Sequence, residues 1–282
     1  MGENKAVNFV TQSIFRERIA GKRQAQKVTR ARDDLHPLTA TEWVAYFRAN
    51  AARYRPIPWE RGAEATPEEL AQIARSLQAW QLGETSDGRH LRAAAARYAD
   101  KVGDPDYLPA VELFIREEQR HGEMLGQFLD RAGIGRVQSD WGDRLFRAAR
   151  YCLPNMEVWT TAVVMVETLA LVYYNAIRRA TGSAVLRTIC GQILADEVPH
   201  LRFQCERMAR LFQHRSRFAL GLTLLAHRLF FLLVMMLVWV GHARALRAGG
   251  YNWRRFWRAA WDRMNASWRQ MNPHRYVWPP PE

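Results

Sequence analysis

Hydrophobic residues recur along this chain at the spacing of α-helices, and polar caps and helix-breaking residues divide the pattern into segments. Thr39 and Glu42 predict the capping box of a helix that ends before Pro56. Residues 66–69 form a second capping box, with proline at the first helical position. From this box a long helix is expected to run to about Lys101.

Three further long helices follow the first. The second starts after Pro105 and ends at Gly133, and the third follows the break at Pro154. Residues 182–183 end the third helix with glycine and cap the fourth with serine. A short helix is expected near residues 140–152. Long helices joined by short turns predict an all-α protein.

The segments beyond these helices are apolar or aromatic. Residues 218–241 are strongly apolar and are interrupted only by His227 and Arg228. We expect a fifth helix that covers the bundle or forms a dimer face, and a membrane span is the alternative, although an arginine near its middle would be costly. The last helix presents tryptophans along one face and arginines elsewhere, so it either packs on the protein or binds a membrane interface.

These patterns divide the chain into three parts. Residues 1–66 form a basic N-terminal arm and a covering helix. Residues 67–213 form the four-helix bundle, and residues 214–282 hold the apolar fifth helix and the Trp/Arg-rich C-terminal helix.

Charge and cysteine content add little about the chemistry. The net charge of +13 lies at the two ends, with +6 in residues 1–32 and +7 in residues 242–275. Basic ends could contact nucleic acid or a membrane surface. Three cysteines without motif spacing indicate a reducing compartment, and the N-terminus does not resemble a signal peptide, so we expect a cytoplasmic protein, with peripheral membrane association as an open alternative.

Two short runs carry the clearest chemical signal. Glu118 precedes His121 by three residues, and Glu197 precedes His200 by three. On a helix this spacing places a carboxylate and an imidazole on one face, where both can bind the same ion. About half of one such pair is expected by chance in this chain, so two pairs carry more weight than one.

Each pair follows an isolated glutamate at a similar distance. Glu84 lies 34 residues before Glu118, and Glu167 lies 30 residues before Glu197. Glu84 is 17 residues before its predicted turn and Glu118 is 13 after it, while Glu167 and Glu197 are each 13 residues from theirs. At about 1.5 Å per residue, the four carboxylates and two imidazoles reach similar heights in the bundle. Such an arrangement is typical of di-metal carboxylate sites.

Over residues 67–213 the sequence resembles the ferritin-like di-iron carboxylate proteins. The resemblance implies a ferritin-like four-helix bundle with extra N- and C-terminal helices, in which two iron ions, or an iron–manganese pair, are bound by six residues: Glu84, Glu118, His121, Glu167, Glu197 and His200. It further implies that Asp196 accepts a hydrogen bond from His121, and Glu117 one from His200. Pro199, inside the second motif, is expected to kink or bulge its helix.

Several branches of that family differ from this chain at particular positions. Leu125 stands where ribonucleotide reductases carry the radical tyrosine, and Ile193 stands where arylamine N-oxygenases carry a seventh ligand. The Cys-rich module of rubrerythrins is absent, and ferritin cage subunits lack such long extensions. The resemblance therefore favours an oxygenase or oxidase that uses O₂ and an external electron donor, such as a reductase or ferredoxin, on a small organic substrate.

Other functions stay open from the sequence. The basic extensions would suit a tRNA-modifying di-iron hydroxylase. An iron-oxidising or peroxide-scavenging protein would need no organic substrate. A non-catalytic helical bundle on a membrane surface would use the Trp/Arg-rich helix, and a homodimer is a further expectation.

Overall fold

A computed structural model describes residues 35–142, 144 and 155–278, and over these residues the chain is all-helical, as predicted. The predicted N-terminal arm of residues 1–32 and most of the short helix expected at 140–152 lie outside the described residues. In chain order the helices are α1 Ala40–Ala51, α2 Pro67–Glu84, α3 Arg89–Val102, α4 Tyr107–Arg131, α5 Met156–Ala180, α6 Ala184–Phe212, α7 Arg217–Ala248 and α8 Trp253–Gln270.

Local sequence signals explain where several helices begin. Thr39 caps α1 and Thr66 caps α2, each as a complete capping box with the glutamate three residues later. The Ser183 hydroxyl accepts a hydrogen bond from the backbone N–H of Leu186 at the start of α6. These three predicted starts are confirmed.

The prediction of one continuous helix from Pro67 to Lys101 is wrong. The helix ends at Glu84 and a new one begins at Arg89. Gly88 between them has a φ of +66°, a left-handed conformation that glycine adopts without strain, and a Cβ there would lie 2.7 Å from the side chain of Ile115. Gly88 is thus a turn residue rather than a helix-interior residue, and Glu84 ends its helix.

Helices packed side by side form the core of the fold. α5 packs along α6, α2 packs along α4, and α4 contacts α6, while α1 lies on α4. Large side chains with no exposed surface fill the interior, among them Leu77, Phe128, Tyr173 and Ile189. Burying this apolar surface is the main source of stability. α6 continues through Pro199 without interruption.

The two C-terminal helices pack on the outside of this core. α7 lies against α5 and α2, and α8 lies against α5 and α6. By length and composition both α5 and α7 could cross a membrane, but the most apolar window of α5 is 72% buried inside the fold and that of α7 only 22%. α5 is therefore a core helix, whereas much of α7 faces outward.

Candidate metal centre

The four predicted carboxylates and two predicted imidazoles converge in the interior of the bundle. α2 contributes its last residue, α4 and α6 contribute one carboxylate and one imidazole each, and α5 contributes one carboxylate, as Glu84, Glu118, His121, Glu167, Glu197 and His200. Except for Glu118, which is partly exposed, all of them are buried. The structure therefore brings together every residue that the sequence predicted for the site.

The six side chains form two overlapping groups of four. Glu84 and His121 complete one group, Glu167 and His200 complete the other, and both groups share Glu118 and Glu197. Within each group one ligand atom per residue lies within 4.8 Å of the others. Each group has a composition that could hold a metal ion, and two of the carboxylates, Glu118 and Glu197, belong to both groups.

Several polar atoms that face the centre of the cluster have no hydrogen-bond partner among the described residues. They are Nδ1 of both histidines, both carboxylate oxygens of Glu167 and one oxygen each of Glu118 and Glu197. His200 Nδ1 lies 2.8 Å from Glu118 Oε1, but without the alignment of a hydrogen bond. Buried polar atoms are rarely left unpaired, because each costs free energy. A bound cation would satisfy these atoms, so the donor set fits a metal.

Burial and mutual repulsion set the protonation of the carboxylates. Burial raises the pKa of Glu84, Glu167 and Glu197 well above the ordinary value, and neighbouring carboxylates add to the rise for all three. Burial also acts to raise the pKa of Glu118, but the close approach and charge of His200, with the charge of His121, outweigh it and hold that pKa at about 2. The cluster thus retains protons that a metal would displace.

A second layer of hydrogen bonds orients the two imidazoles. His121 Nε2 lies 3.1 Å from Asp196 Oδ2, and His200 Nε2 lies 2.9 Å from Glu117 Oε2. These are the two pairings predicted from the sequence. With Nε2 donating to a carboxylate, a ring that gives up its second proton to a metal directs its Nδ1 lone pair at the cluster.

α1 and the residues that follow it supply a further layer of hydrogen bonds that the sequence reasoning missed. The side-chain nitrogen of Asn50 donates to Glu117 Oε1 and to Asp196 Oδ1, both at 2.9 Å, and the Tyr54 hydroxyl donates to Asp196 Oδ2 at 2.8 Å. Asn50 follows Phe47 by one helical turn on the buried face of α1. A polar residue on an apolar helix face was the signal that could have identified it.

Tyr174 reaches the cluster from α5. Its hydroxyl donates to Glu84 Oε1 at 2.6 Å, and this hydrogen bond acts to lower the pKa of Glu84 against the larger effect of burial. Tyr98 has no hydrogen bond to the cluster in the described residues: its hydroxyl accepts a hydrogen bond from Arg207 at 2.8 Å. Tyr174 is thus a hydrogen-bonded core tyrosine that also contacts a candidate ligand.

A cavity of about 740 Å³ opens onto the cluster. All four carboxylates line its inner end. Its walls are mostly apolar and include Phe114 from α4, Val163 and Val166 from α5, and Leu233 and Val234 from α7. The size and lining suit a small organic molecule.

The chain matches no protein-family model, no curated protein and no solved structure. Its function must therefore be inferred from the geometry of the site.

Proposed function

We propose that this chain is a ferritin-like protein that binds two iron ions, or an iron–manganese pair, and uses O₂ to oxidise or hydroxylate a small organic substrate. The observation that carries this proposal is the pair of overlapping donor groups that share Glu118 and Glu197. Hard carboxylate ligands outnumber the imidazoles two to one, which favours iron or manganese over zinc or copper.

Each residue of the cluster has a definite part in holding the metals. Glu84 and His121 would hold one ion, Glu167 and His200 the other, and Glu118 and Glu197 would contribute to both. Four carboxylates balance the charge of two divalent ions. When bound, the metal pair supplies the electrons that activate O₂.

The overall reaction of a hydroxylase defines which reactants are needed besides the substrate and O₂. A C–H bond of the substrate breaks, one oxygen atom of O₂ is inserted as a hydroxyl group, and the other oxygen leaves as water. That water requires two electrons and two protons, which an external electron donor and solvent supply. The buried position of the cluster limits the access of bulk water, so the oxidising power is directed at the substrate.

The cavity favours an organic substrate over iron itself. Iron oxidation needs an acidic entry path, whereas the lining of this cavity is mainly apolar. Outside the cluster its two acidic residues, Asp87 and Asp140, are balanced in charge by Arg75 and Arg89. Apolar walls bind and orient a carbon skeleton through its own apolar surface.

Metal reconstitution tests the proposal. The full chain is loaded with ferrous iron without oxygen, freed of excess metal, and measured by elemental analysis and by absorption before and after O₂ is admitted. We expect about two metals per chain and an O₂-dependent absorption change. A chain that binds no iron, or whose bound iron gives no absorption change when O₂ is admitted, would contradict the proposal. Repeated ferrous iron turnover without organic substrate would instead favour an iron-oxidising protein.

A further inference from the structure

The outward face of α7 carries a continuous row of large apolar side chains. Seven of them are 43–77% exposed. They recur every three or four residues and thus lie on one side of the helix, as Phe218, Leu222, Leu225, Leu229, Leu233, Met236 and Val240. We call these seven residues the apolar stripe. At about 1.5 Å per residue it is about 33 Å long, which is far larger than the scattered apolar residues of an ordinary protein surface.

The charges around the apolar stripe are basic. Residues 214–282 contain 11 arginines and two acidic residues, and α7 itself contains no acidic residue. Four arginines of α7 are exposed, at positions 217, 228, 244 and 247. Helices that combine an apolar face with arginines lie in the interface of bilayers that contain anionic lipids.

Packing decides how α7 would meet a bilayer. Phe231 and Met235, on the opposite side of the helix, are fully buried in the protein core. A helix held along its length by the bundle lies parallel to the surface it contacts. A second copy of the chain suits this face less well, because two such faces bring exposed arginines together without acidic partners.

The same face forms part of the wall of the cavity at the candidate metal centre. Leu233 and Val240 belong to the apolar stripe and also line the cavity that contains the four carboxylates. Gly83 lines the cavity too and is exposed. Exposed charged residues line the cavity as well, as Arg75, Asp87 and Arg89, so the entrance for a molecule dissolved in the lipid layer is the apolar edge formed by Leu233 and Val240.

We propose that the apolar stripe binds an anionic lipid bilayer and that the cavity takes its substrate, an apolar molecule with an alkyl chain, from that bilayer. The substrate class rests on the function proposed above. Binding to the bilayer does not, because it requires neither metal nor turnover.

Flotation with lipid vesicles tests whether the apolar stripe binds a bilayer. The full chain is mixed with vesicles of phosphatidylcholine containing about 30% phosphatidylglycerol, or with vesicles of phosphatidylcholine alone. We expect the wild type to float with the anionic vesicles, and Leu225→Gln with Leu229→Gln to lower the bound fraction at least about tenfold. The matched control is Val102→Gln with Val277→Gln, two exposed apolar residues outside the stripe, which should float like wild type.

Two results would overturn the assignment of the surface. One is a wild type that does not float, or a stripe variant that floats equally well. The other is a lipid-free wild type that sediments as a dimer and becomes monomeric in the stripe variant, because the stripe would then bind a second copy.

A large side chain placed in the cavity tests whether the substrate enters through it. A Cβ at Gly83 meets no atom within 4 Å, and the same holds for Gly191, which does not line the cavity. The fluorescent fatty acid cis-parinaric acid serves as the probe, with metal-free protein and without vesicles. We expect Gly83→Phe to weaken its binding at least about tenfold and Gly191→Phe to leave it unchanged. Equal binding by both variants and wild type would overturn the cavity as the substrate path.

These results separate the two proposals. Flotation and probe binding without metal loading would refute the proposed function alone. Two metals per chain without flotation or probe binding would refute the bilayer and its substrate class alone.

Discussion

Glu167→Leu should change stability in opposite directions with and without metal. Glu167 is 3% exposed, and neither of its carboxylate oxygens has a hydrogen-bond partner among the described residues. An unsatisfied buried polar group costs about 1–3 kcal/mol, and leucine removes that cost at similar volume. The metal-free variant should therefore be about 1–3 kcal/mol more stable than the metal-free wild type.

With metal the order should reverse. A ligand present at 1,000 times its dissociation constant stabilises the folded state by about 4.1 kcal/mol per site, and the variant loses the donor group completed by Glu167. This loss exceeds the gain of about 1–3 kcal/mol in the metal-free chain. For a chain of this size, 1 kcal/mol shifts the melting temperature by about 2–4 °C. Thermal unfolding of both proteins, with chelator and with excess ferrous iron under anaerobic conditions, measures both effects.

The control lies on the same helix. Glu157 pairs with Arg215 at the surface, and both side chains are 30% exposed, so Glu157→Leu should cost about 0–1 kcal/mol and leave the metal content unchanged. The reasoning is refuted if Glu167→Leu destabilises the metal-free chain, or if the variant still binds two metals.

Three further perturbations test the surroundings of the cluster. Asn50→Ala removes the hydrogen bonds to both acidic partners of the imidazoles, so metal affinity should fall about 10–100-fold in a metal titration, with helix content by circular dichroism unchanged. Tyr174→Phe removes the hydrogen bond that acts to lower the pKa of Glu84. Protons then compete better with the metal for this carboxylate, so a metal indicator should report release of half of the bound metal at a higher pH than in wild type. In the metal-free chain, burial raises the pKa of Glu84, Glu167 and Glu197. Their contribution to stability is present below the unfolded pKa of about 4.3 and is lost as the pH rises through the folded values. The metal-free melting temperature should therefore fall as the pH rises above the unfolded pKa of about 4.3, and a rise of the melting temperature there would contradict the raised pKa values.

The cluster could be predicted from sequence because helical geometry is nearly rigid. Once residues lie on antiparallel helices, spacing from a turn sets their height, so Glu167 and Glu197 could be placed by counting. The hydrogen bonds of Glu117 and Asp196 followed from the family resemblance, because each stands one residue before a candidate ligand. Membership of the ferritin-like family itself stays a prediction.

What could not be predicted depends on tertiary contacts. The break after Glu84 follows from the left-handed turn at Gly88, where the side chain of Ile115 leaves no room for a Cβ. A glycine in the sequence does not reveal which side chain of another helix will pack against it. The reach of Asn50 to two acidic residues likewise depends on where α1 packs, and no local pattern in α1 specifies α4 as its partner.

The two most apolar helices show why exposure had to come from the structure. α5 and α7 both qualify as membrane spans by length and composition, yet α5 lies at the centre of the bundle and α7 at its edge. A core helix needs apolar residues all round, since every side is covered. A helix with one covered side needs them only there, and Phe231 and Met235 already meet that need in α7. The exposed row from Phe218 to Val240 therefore exceeds what folding requires, and its contact with the cavity wall links this excess to the access route of the metal centre.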